Sequence, residues 1–284
     1  NLGQGISKLN AFLKALPKEI SVDETASLNV SIVEQPSISD SSIEFHLNGL
    51  FTPKEVNQLP ISSSPARSSS VECSDPSKML GISLDEAVFR SASALYYDAK
   101  FMEWVVDKIP NLSLLNTASW RFIIPQLYNS YPNDDMNLNI TFSSPPATKI
   151  SADGFDATVY ADVVIIVLAS NQSVPVACIS LVIGGIGSIR ISGNRIGGSV
   201  KLSDFSLSLK WSKIGRIYMN LVQPLMRTMI QNVFVPYANS RLANGFPLPI
   251  VHGFTLQDAE VSFSESAISV CGDVWYDDNM LYDY

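Results

Sequence analysis

The chain has 284 residues, of which 46% are apolar and only 16% are charged. An average globular protein has about 25% charged residues, so this chain has an unusually large apolar surface to bury. Its net charge of −8, without a dense basic cluster, argues against a nucleic-acid partner. No apolar run approaches the roughly 20 residues that span a bilayer, so no transmembrane segment is expected.

The first part of the chain predicts three kinds of segment. Residues 1–20 have the pattern of an amphipathic helix already in progress, so the chain is expected to be a fragment of a longer protein. Residues 27–33 and 43–51 alternate apolar and polar positions and predict strands. Residues 52–78 are rich in serine and proline and lack periodicity. They predict a mobile loop, with a linker between domains as the less favoured alternative.

A first long helix is predicted to begin at Ser83. Glu86 follows at the spacing of a capping box. One face of this helix is apolar and consists of Leu84, Val88, Phe89, Ala92, Leu95 and Tyr96. Beyond it, residues 101–106 predict a strand, and residues 116–128 predict a short helical region that is broken before Pro125.

Two long strands are predicted in the middle of the chain. Every odd position from Phe155 to Ala169 is apolar, so residues 154–170 predict a strand with one face buried throughout. Residues 198–211 change phase at Ser203 and Asp204, which predicts a β-bulge. Long, bulged antiparallel strands are typical of a strongly twisted sheet that curls into a barrel.

A second long helix is predicted over residues 215–244, bent by Pro224 and Pro236. Its apolar stripe consists of Tyr218, Val222, Leu225, Met229 and Val233. Gly245 and the Pro-Leu-Pro that follows Phe246 predict a left-handed helix cap and a turn into extended chain.

The end of the chain predicts a closing hairpin. Residues 255–263 and 267–276 alternate like two antiparallel strands. Residues 277–284 predict a solvated acidic tail.

Few residues suit catalysis or metal binding. There are two histidines and no G-x-S-x-G, His-x-x-x-His or Cys-x-x-Cys motif, so no enzyme activity, metal or cofactor is expected. Whether two of the three cysteines bond is left open; they are Cys73, Cys178 and Cys271. Four sequons permit N-glycosylation in a secreted protein, at Asn29, Asn111, Asn139 and Asn171.

Several motifs resemble the C-terminal half of the bactericidal/permeability-increasing and lipopolysaccharide-binding (BPI/LBP) family. They include LNVSIVEQP, MLGISLDEAVFRSASALYYDA, SLKWSKIG and VFVPYANSRLANGFPLPIVHGFTL. KMLGIS, WRFIIPQLYNSYP and MNLNITFSSPP make the chain most similar to the plant branch. The resemblance implies an α+β fold with a long-stranded, strongly twisted antiparallel sheet or barrel flanked by long helices, which is a TULIP-type half with part of a central sheet.

The resemblance also implies a domain organisation. Residues 1–20 would be the tail of the preceding barrel's long helix, and residues 21–51 would enter the central sheet. Residues 79–276 would form the C-terminal lipid-binding barrel.

The function implied by the family is lipid binding without covalent chemistry. The two apolar helix stripes would line a slot for a phospholipid, in a secreted protein of innate, antimicrobial defence that recognises bacterial envelope lipid. Lipopolysaccharide would bind mainly through the N-terminal half, which carries the family's basic tip and is absent from this chain. The alternative is a structural half that orients that N-terminal barrel without carrying lipid. A lipid hydrolase or transferase is a less favoured rival.

Overall fold

The computed structural model describes residues 17–55, 71, 73–109, 114–170, 172–251 and 253–276. Its N-terminal part forms two small antiparallel sheets instead of two long strands. One sheet is formed by β1 (Glu19–Ser21), β2 (Ala26–Asn29) and β5 (Phe51–Pro53), and the other is a hairpin of β3 (Ser37–Ile38) and β4 (Ile43–Glu44). The predicted strands 27–33 and 43–51 are therefore wrong in extent. Because β1 begins at Glu19, the helix predicted over residues 1–20 does not include Glu19 and Ile20. Residues 1–16 lie outside the described part.

The first described helix, α1 (Glu86–Asp98), follows strand β6 (Leu80–Asp85). The predicted start at Ser83 is wrong, because residues 80–85 pair with the last strand of the chain. Asp85 is the N-cap, and its carboxylate accepts a hydrogen bond from the Ala87 amide at 2.7 Å. Leu84 consequently lies on a strand and not on the helix stripe.

The serine- and proline-rich segment is anchored at both described ends. Its first residues, Thr52 and Pro53, belong to β5. Near its other end Cys73 forms a disulfide with Cys271, and the Lys78 ammonium lies 3.1 Å from the Asp273 carboxylate. The predicted loop over residues 52–78 therefore begins later than expected, and residues 56–70 lie outside the described part.

Seven antiparallel strands form the main sheet, in the order β13-β12-β11-β10-β8-β7 with β9 paired to the start of β10. They are β7 (Glu103–Val106), β8 (Asp135–Phe142), β9 (Ala147–Ser151), β10 (Gly154–Ala169), β11 (Gln172–Ser192), β12 (Arg195–Ser212) and β13 (Phe246–Pro247). The odd positions of β10 from Ala161 to Val167 are at most 2% exposed and form the inner face. The predicted long alternating strand is confirmed.

The bulge predicted at Ser203 and Asp204 is also confirmed. Gly184 of β11 pairs with Asp204, whereas the next residue, Gly185, pairs with Leu202. Ser203 is therefore the extra residue, and it keeps the apolar side chains on both sides of the phase change on the inner face.

Helices cover the inner face of the main sheet. A 3₁₀ turn (Thr117–Trp120) and α2 (Pro125–Ser130) confirm the broken helical region. The second long helix is shorter than the predicted 215–244 and consists of α3 (Met219–Met229), a π-helical turn (Ile230–Phe234) and α4 (Val235–Leu242). It begins late because Tyr218, its N-cap, has an extended backbone.

The turn after this helix joins α4 to β13. Gly245 has φ +53°, as its predicted role in a left-handed cap requires. The Arg195 guanidinium donates hydrogen bonds to the carbonyl oxygens of Asn244 and Gly245, at 3.0 and 2.9 Å. These bonds satisfy acceptors that the end of a helix leaves free.

A second sheet, in the order β14-β15-β6, contains the predicted closing hairpin of β14 (Phe254–Ser264) and β15 (Ala267–Tyr276). Asn194, in the turn between β11 and β12, joins the two sheets by hydrogen bonds to the backbone of Phe254 and Leu256. In the described part, β7 and β13 each have one strand neighbour and neither pairs with the second sheet. The main sheet is therefore open, and the closed barrel that the strand pattern favoured is not formed.

Candidate functional site

An apolar cleft lies where the main sheet fails to close. Pairing between β10 and β11 begins at Phe155 and Gly187, so residues 188–192 of β11 pair only with β12 among the described strands. Strand β14 passes opposite this open edge with Val261 and Phe263. The space between them is a cleft of about 530 Å³.

The walls of the cleft are mainly apolar, and its charged groups are acidic. Five large apolar side chains line it: Phe155, Ile186, Ile189, Val261 and Phe263. Gly187 makes room for the neighbouring ring, because a Cβ atom there would lie 2.6 Å from Cδ1 of Phe155. Asp153 and Asp156 also line the cleft. The cleft thus suits an apolar group and disfavours an anion.

Two residues predicted to bind lipid lie beside this cleft. The rings of Phe89 and Phe155 pack edge to face with their centroids 5.4 Å apart. Leu84, which is 5% exposed, belongs to the same apolar cluster as Phe89, Ile189 and Val261. Strand β6 and helix α1 thus form the layer directly behind the cleft wall.

The remaining residues of the first predicted stripe face another cluster. Val88 and Leu95 are buried against the β1-β2-β5 sheet, and Ala92 and Tyr96 pack on the same cluster. The Tyr96 hydroxyl donates a 2.6 Å hydrogen bond to the Asp23 carboxylate. Burial, and then this bond, raise the pKa of Tyr96 well above its usual range. These residues attach α1 to the N-terminal sheet.

The second predicted stripe lies in the main core. Val222 and Met229 are 0% exposed, Leu225 is 7% exposed, and Val233 packs against the same cluster. Tyr218 precedes the helix and is 53% exposed, so it does not continue the stripe. The two stripes therefore face separate clusters and do not form opposite walls of one chamber.

The cleft residues contributed by β11 and β14 were not among the predicted site residues. Val261 and Phe263 alternate with Ser262 and Ser264, so the periodicity of β14 could have indicated an apolar face. The sequence contains no local signal for which two strand edges lie opposite each other, because that depends on how the two sheets pack.

An ion pair stabilises the outer face of the main sheet. Asp162 lies 2.5 Å from the Lys210 ammonium and accepts a 2.6 Å hydrogen bond from the Ser180 hydroxyl. Partial burial raises the pKa of Asp162, but the bonds from Lys210 and Ser180 outweigh this effect, so the pKa lies below the usual value of an aspartate. The pair therefore stabilises the fold at neutral pH, and this stabilisation is lost in acid.

We expect Asp162→Asn to remove a pH-dependent part of this stability. Because the folded pKa is lowered, the stabilisation is fully present above the unfolded pKa and is lost as the pH falls through the folded value. The stability difference between wild type and Asp162→Asn should therefore be constant near neutral pH and shrink below about pH 4. Urea unfolding over a pH series measures it. A difference that stays the same in acid would contradict this assignment.

Two of the four predicted glycosylation sites lie in the described part. The Asn29 side-chain oxygen accepts hydrogen bonds from the Ser31 amide, at 3.0 Å, and from the Ser31 hydroxyl. Asn139 lies on β8 opposite Val164 of the outer face and is partly exposed. Asn111 and Asn171 lie outside the described residues.

Neither a metal cluster nor a membrane-spanning helix occurs in the described ranges. Those ranges contain no group of three or more His, Cys, Asp or Glu side chains arranged to hold a metal ion. None of the helices described is both long and apolar enough to cross a membrane.

The fold and the cleft together define an α+β protein with a long, open antiparallel sheet and an apolar interior. Residues 20–276 match the family model described as "LBP / BPI / CETP family, C-terminal domain". The chain belongs to this family, and the resemblance of its sequence motifs is confirmed. The matching model describes the C-terminal domain of the family's proteins.

Similar proteins support the same assignment. A putative BPI/LBP family protein of Arabidopsis thaliana is 60% identical over 98% of this chain and 57% of that protein. Human lipopolysaccharide-binding protein is 26% identical over 95% of this chain and 56% of its own length. Mouse phospholipid transfer protein is 24% identical over 96% of the chain and 55% of its own length.

A solved structure shows the same fold. The crystal structure of a lipopolysaccharide-binding protein superimposes with a TM-score of 0.52 at 20% sequence identity. The match covers 92% of this chain and 57% of that one. The chain thus spans little more than half the length of the proteins it matches.

Proposed function

We propose that this chain is a lipid-binding half of a larger protein and that its cleft admits the acyl chains of a phospholipid-type lipid. The observation that carries the proposal is the cleft of about 530 Å³ at the open edge of the sheet. This volume lies within the range of about 300–1,000 Å³ that is typical of small-molecule sites. Its apolar walls continue into the cluster that contains Leu84 and Phe89.

The energetics favour an acyl chain in this place. Each methylene group removed from water contributes about 0.8 kcal/mol, so even a partly inserted chain gains several kcal/mol. Asp153 and Asp156 disfavour a phosphate group deep in the cleft. We therefore expect the ligand's head group to remain at the mouth, and we expect zwitterionic lipids to bind better than anionic ones.

The rest of the proposal concerns the whole protein. The relatives are named for binding lipopolysaccharide and for phospholipid transfer. For this protein we propose recognition of bacterial envelope lipid in defence, mainly through the half that this chain does not include. Secretion, glycosylation at the four sequons and the absence of covalent chemistry belong to the same proposal.

One observation favours the alternative of a structural half without lipid. Val222, Met229 and Ile230 are 0% exposed, so side chains fill the space between α3 and the sheet. In that alternative the cleft is a shallow surface feature, and the helix stripes serve only to pack the core.

Organic extraction of the purified protein, followed by mass spectrometry, tests the proposal. The full chain should release a two-chain phospholipid in stoichiometric amount. Val261→Trp, which fills the cleft, should reduce the recovered lipid at least tenfold. Glu260→Trp is the matched control, because this neighbouring residue on β14 is exposed and does not line the cleft. It should retain the lipid. An empty extract from folded wild type, or equal lipid in both variants, would favour the structural alternative.

A further inference from the structure

One end of the main sheet carries three cations that each lie against an aromatic ring. The Arg121 guanidinium lies 4.5 Å from the ring centroid of Phe122, and the Arg216 guanidinium lies 5.2 Å from that of Tyr218. The Lys213 ammonium lies 5.7 Å from the Trp211 ring. Cation–ring contacts of this length are attractive, and they occur here on exposed side chains.

These pairs belong to one surface, which we call the tip and which differs from the basic tip of the N-terminal half. It consists of Arg121, Phe122, Trp211, Lys213, Arg216 and Tyr218. Strand β12 ends at Ser212, and the Lys213 amide donates a 2.8 Å hydrogen bond to Val176 near the start of β11. The Gln126 side chain of α2 donates a 3.3 Å hydrogen bond to the Arg216 carbonyl. The segment that carries Arg121 leads directly into α2. The end of β12 thus lies beside the start of β11. The segment before α2, which carries Arg121, lies beside the segment after β12, which carries Lys213 and Arg216.

The tip is far from the cleft. Strand β10 starts beside the cleft at Gly154 and ends at Ala169, near the tip. A strand of this length spans roughly 50 Å. The β1-β2-β5 sheet packs on α1, which lies behind the cleft, so the N-terminal strands are at the opposite end.

The aromatic side chains of the tip are unusually exposed. Phe122 is 78% exposed and Tyr218 is 53% exposed. Leu221, whose amide donates a hydrogen bond to the Tyr218 carbonyl oxygen, is 46% exposed. Exposed rings next to cations are typical of surfaces that insert into the boundary between lipid head groups and acyl chains.

The charge of the tip differs in sign from that of the chain. The chain has a net charge of −8, whereas the tip presents Arg121, Lys213 and Arg216. Asp107 and Lys108 follow β7, and Asp134 and Asp135 stand at the start of β8, so these four charged groups also lie at this end. The Asp135 carboxylate accepts a 3.1 Å hydrogen bond from the Asn116 side-chain amide. Of the charged groups named here, four are cations and three are carboxylates. An anionic surface complements the cations of the tip, while the rest of the chain repels it.

We propose that the tip docks on the surface of an anionic phospholipid bilayer. Phe122 and Tyr218 enter the interface between head groups and acyl chains, and the three cations contact lipid phosphates. This docking is independent of the cleft, since none of the tip residues lines it.

Co-sedimentation with vesicles tests this proposal on the full chain. Vesicles of phosphatidylcholine mixed with phosphatidylglycerol are compared with vesicles of phosphatidylcholine alone. N-glycans are removed first, because the sequons at Asn111 and Asn171 fall in sequence between elements of this end. The wild type should bind the mixed vesicles at least tenfold more strongly, and added salt should weaken that binding.

Three sets of variants identify the surface responsible. Phe122→Ser with Tyr218→Ser should reduce binding to both vesicles about tenfold, and Arg121→Glu with Arg216→Glu should abolish the preference for the anionic one. Trp275→Ser is the matched control, because Trp275 is 65% exposed on β15, away from the tip. It should bind like wild type.

The outcomes separate this proposal from the proposed function. Val261→Trp should lose extractable lipid yet still bind vesicles, whereas the tip variants should keep their lipid. Vesicle binding that is the same in wild type and in both tip variants would overturn the docking proposal without affecting the cleft.

Discussion

Replacing Gly245 with alanine is expected to lower the free energy of unfolding by about 3 to 4 kcal/mol. Gly245 has φ +53°, where an L side chain is strained, and a Cβ atom there would lie 1.9 Å from the Ile196 carbonyl oxygen. The Ile196 backbone has little room to move, because it pairs with Phe246 in the sheet. Urea unfolding, followed by circular dichroism, measures the loss.

Gly193 supplies the matched control for this prediction. It also has φ +53°, but a Cβ atom there would meet nothing within 4 Å. Gly193→Ala should therefore lower the free energy of unfolding only by the strain of an alanine in the left-handed conformation, about 1 to 2 kcal/mol. The difference between the two variants measures the steric contact alone. Equal losses would mean that the end of α4 moves away from β12 without a cost in free energy. That result would contradict the steric contact between residue 245 and the Ile196 carbonyl oxygen.

The turn between α4 and β13, which contains Gly245, also positions residues beside the cleft. The ring of Phe246, the residue after Gly245, lies 5.2 Å from the ring of Phe51 and 6.0 Å from that of Phe89. Phe89 in turn packs against Phe155 of the cleft wall. A displacement of this turn should therefore loosen the packing of β6 and α1 behind the cleft and also lower the free energy of unfolding.

Local periodicity was sufficient to predict the long elements of this fold. Strand β10 and the bulge at Ser203 follow from the alternation of apolar side chains, which depends only on neighbouring residues. The Gly245 cap and the closing hairpin are equally local. The family resemblance, which rests on motifs along nearly the whole chain, is confirmed by the match over residues 20–276.

The errors have a common physical cause, which is pairing over long distances. Ser83 has the pattern of an N-cap, but Ser83 pairs with Ser269, far along the chain, and the strand continues to Asp85. The open edge beside Ile189 cannot be predicted from local sequence either, because it depends on where β10 begins relative to β11. Two amphipathic helices predict two buried faces; they do not predict whether those faces share a chamber.

Breaking the disulfide between Cys73 and Cys271 is expected to lower the free energy of unfolding at least as much as Gly245→Ala does. The bond joins residues 198 positions apart, and closing so long a loop removes much of the entropy of the unfolded chain. The loop-entropy relation gives about 5 kcal/mol, and removal of native disulfides typically costs about 2–5 kcal/mol. Cys73→Ser should thus lower the free energy of unfolding by several kcal/mol, measured by urea unfolding without reductant.

Reduction provides the control for this prediction. Adding a reducing agent should destabilise the wild type by a similar amount and should leave Cys73→Ser unchanged. Cys178→Ala keeps the disulfide and removes only the buried free thiol, so it should lose about 1 kcal/mol and remain sensitive to reductant. If the wild type were insensitive to reductant, or Cys73→Ser were as stable as wild type, the bond would not constrain the fold.

The disulfide also links stability to the cleft. Cys271 lies on β15, which pairs with β14, and β14 contributes Val261 and Phe263 to the cleft wall. On its other side β15 pairs with β6, and the disulfide attaches Cys73, which precedes β6 in the chain, to β15. Loss of the bond should therefore loosen the wall opposite the open edge of β11. For the lipid that we propose in the cleft, we expect faster release from reduced than from oxidised wild type. Cys73→Ser should release it at the same fast rate with or without reductant.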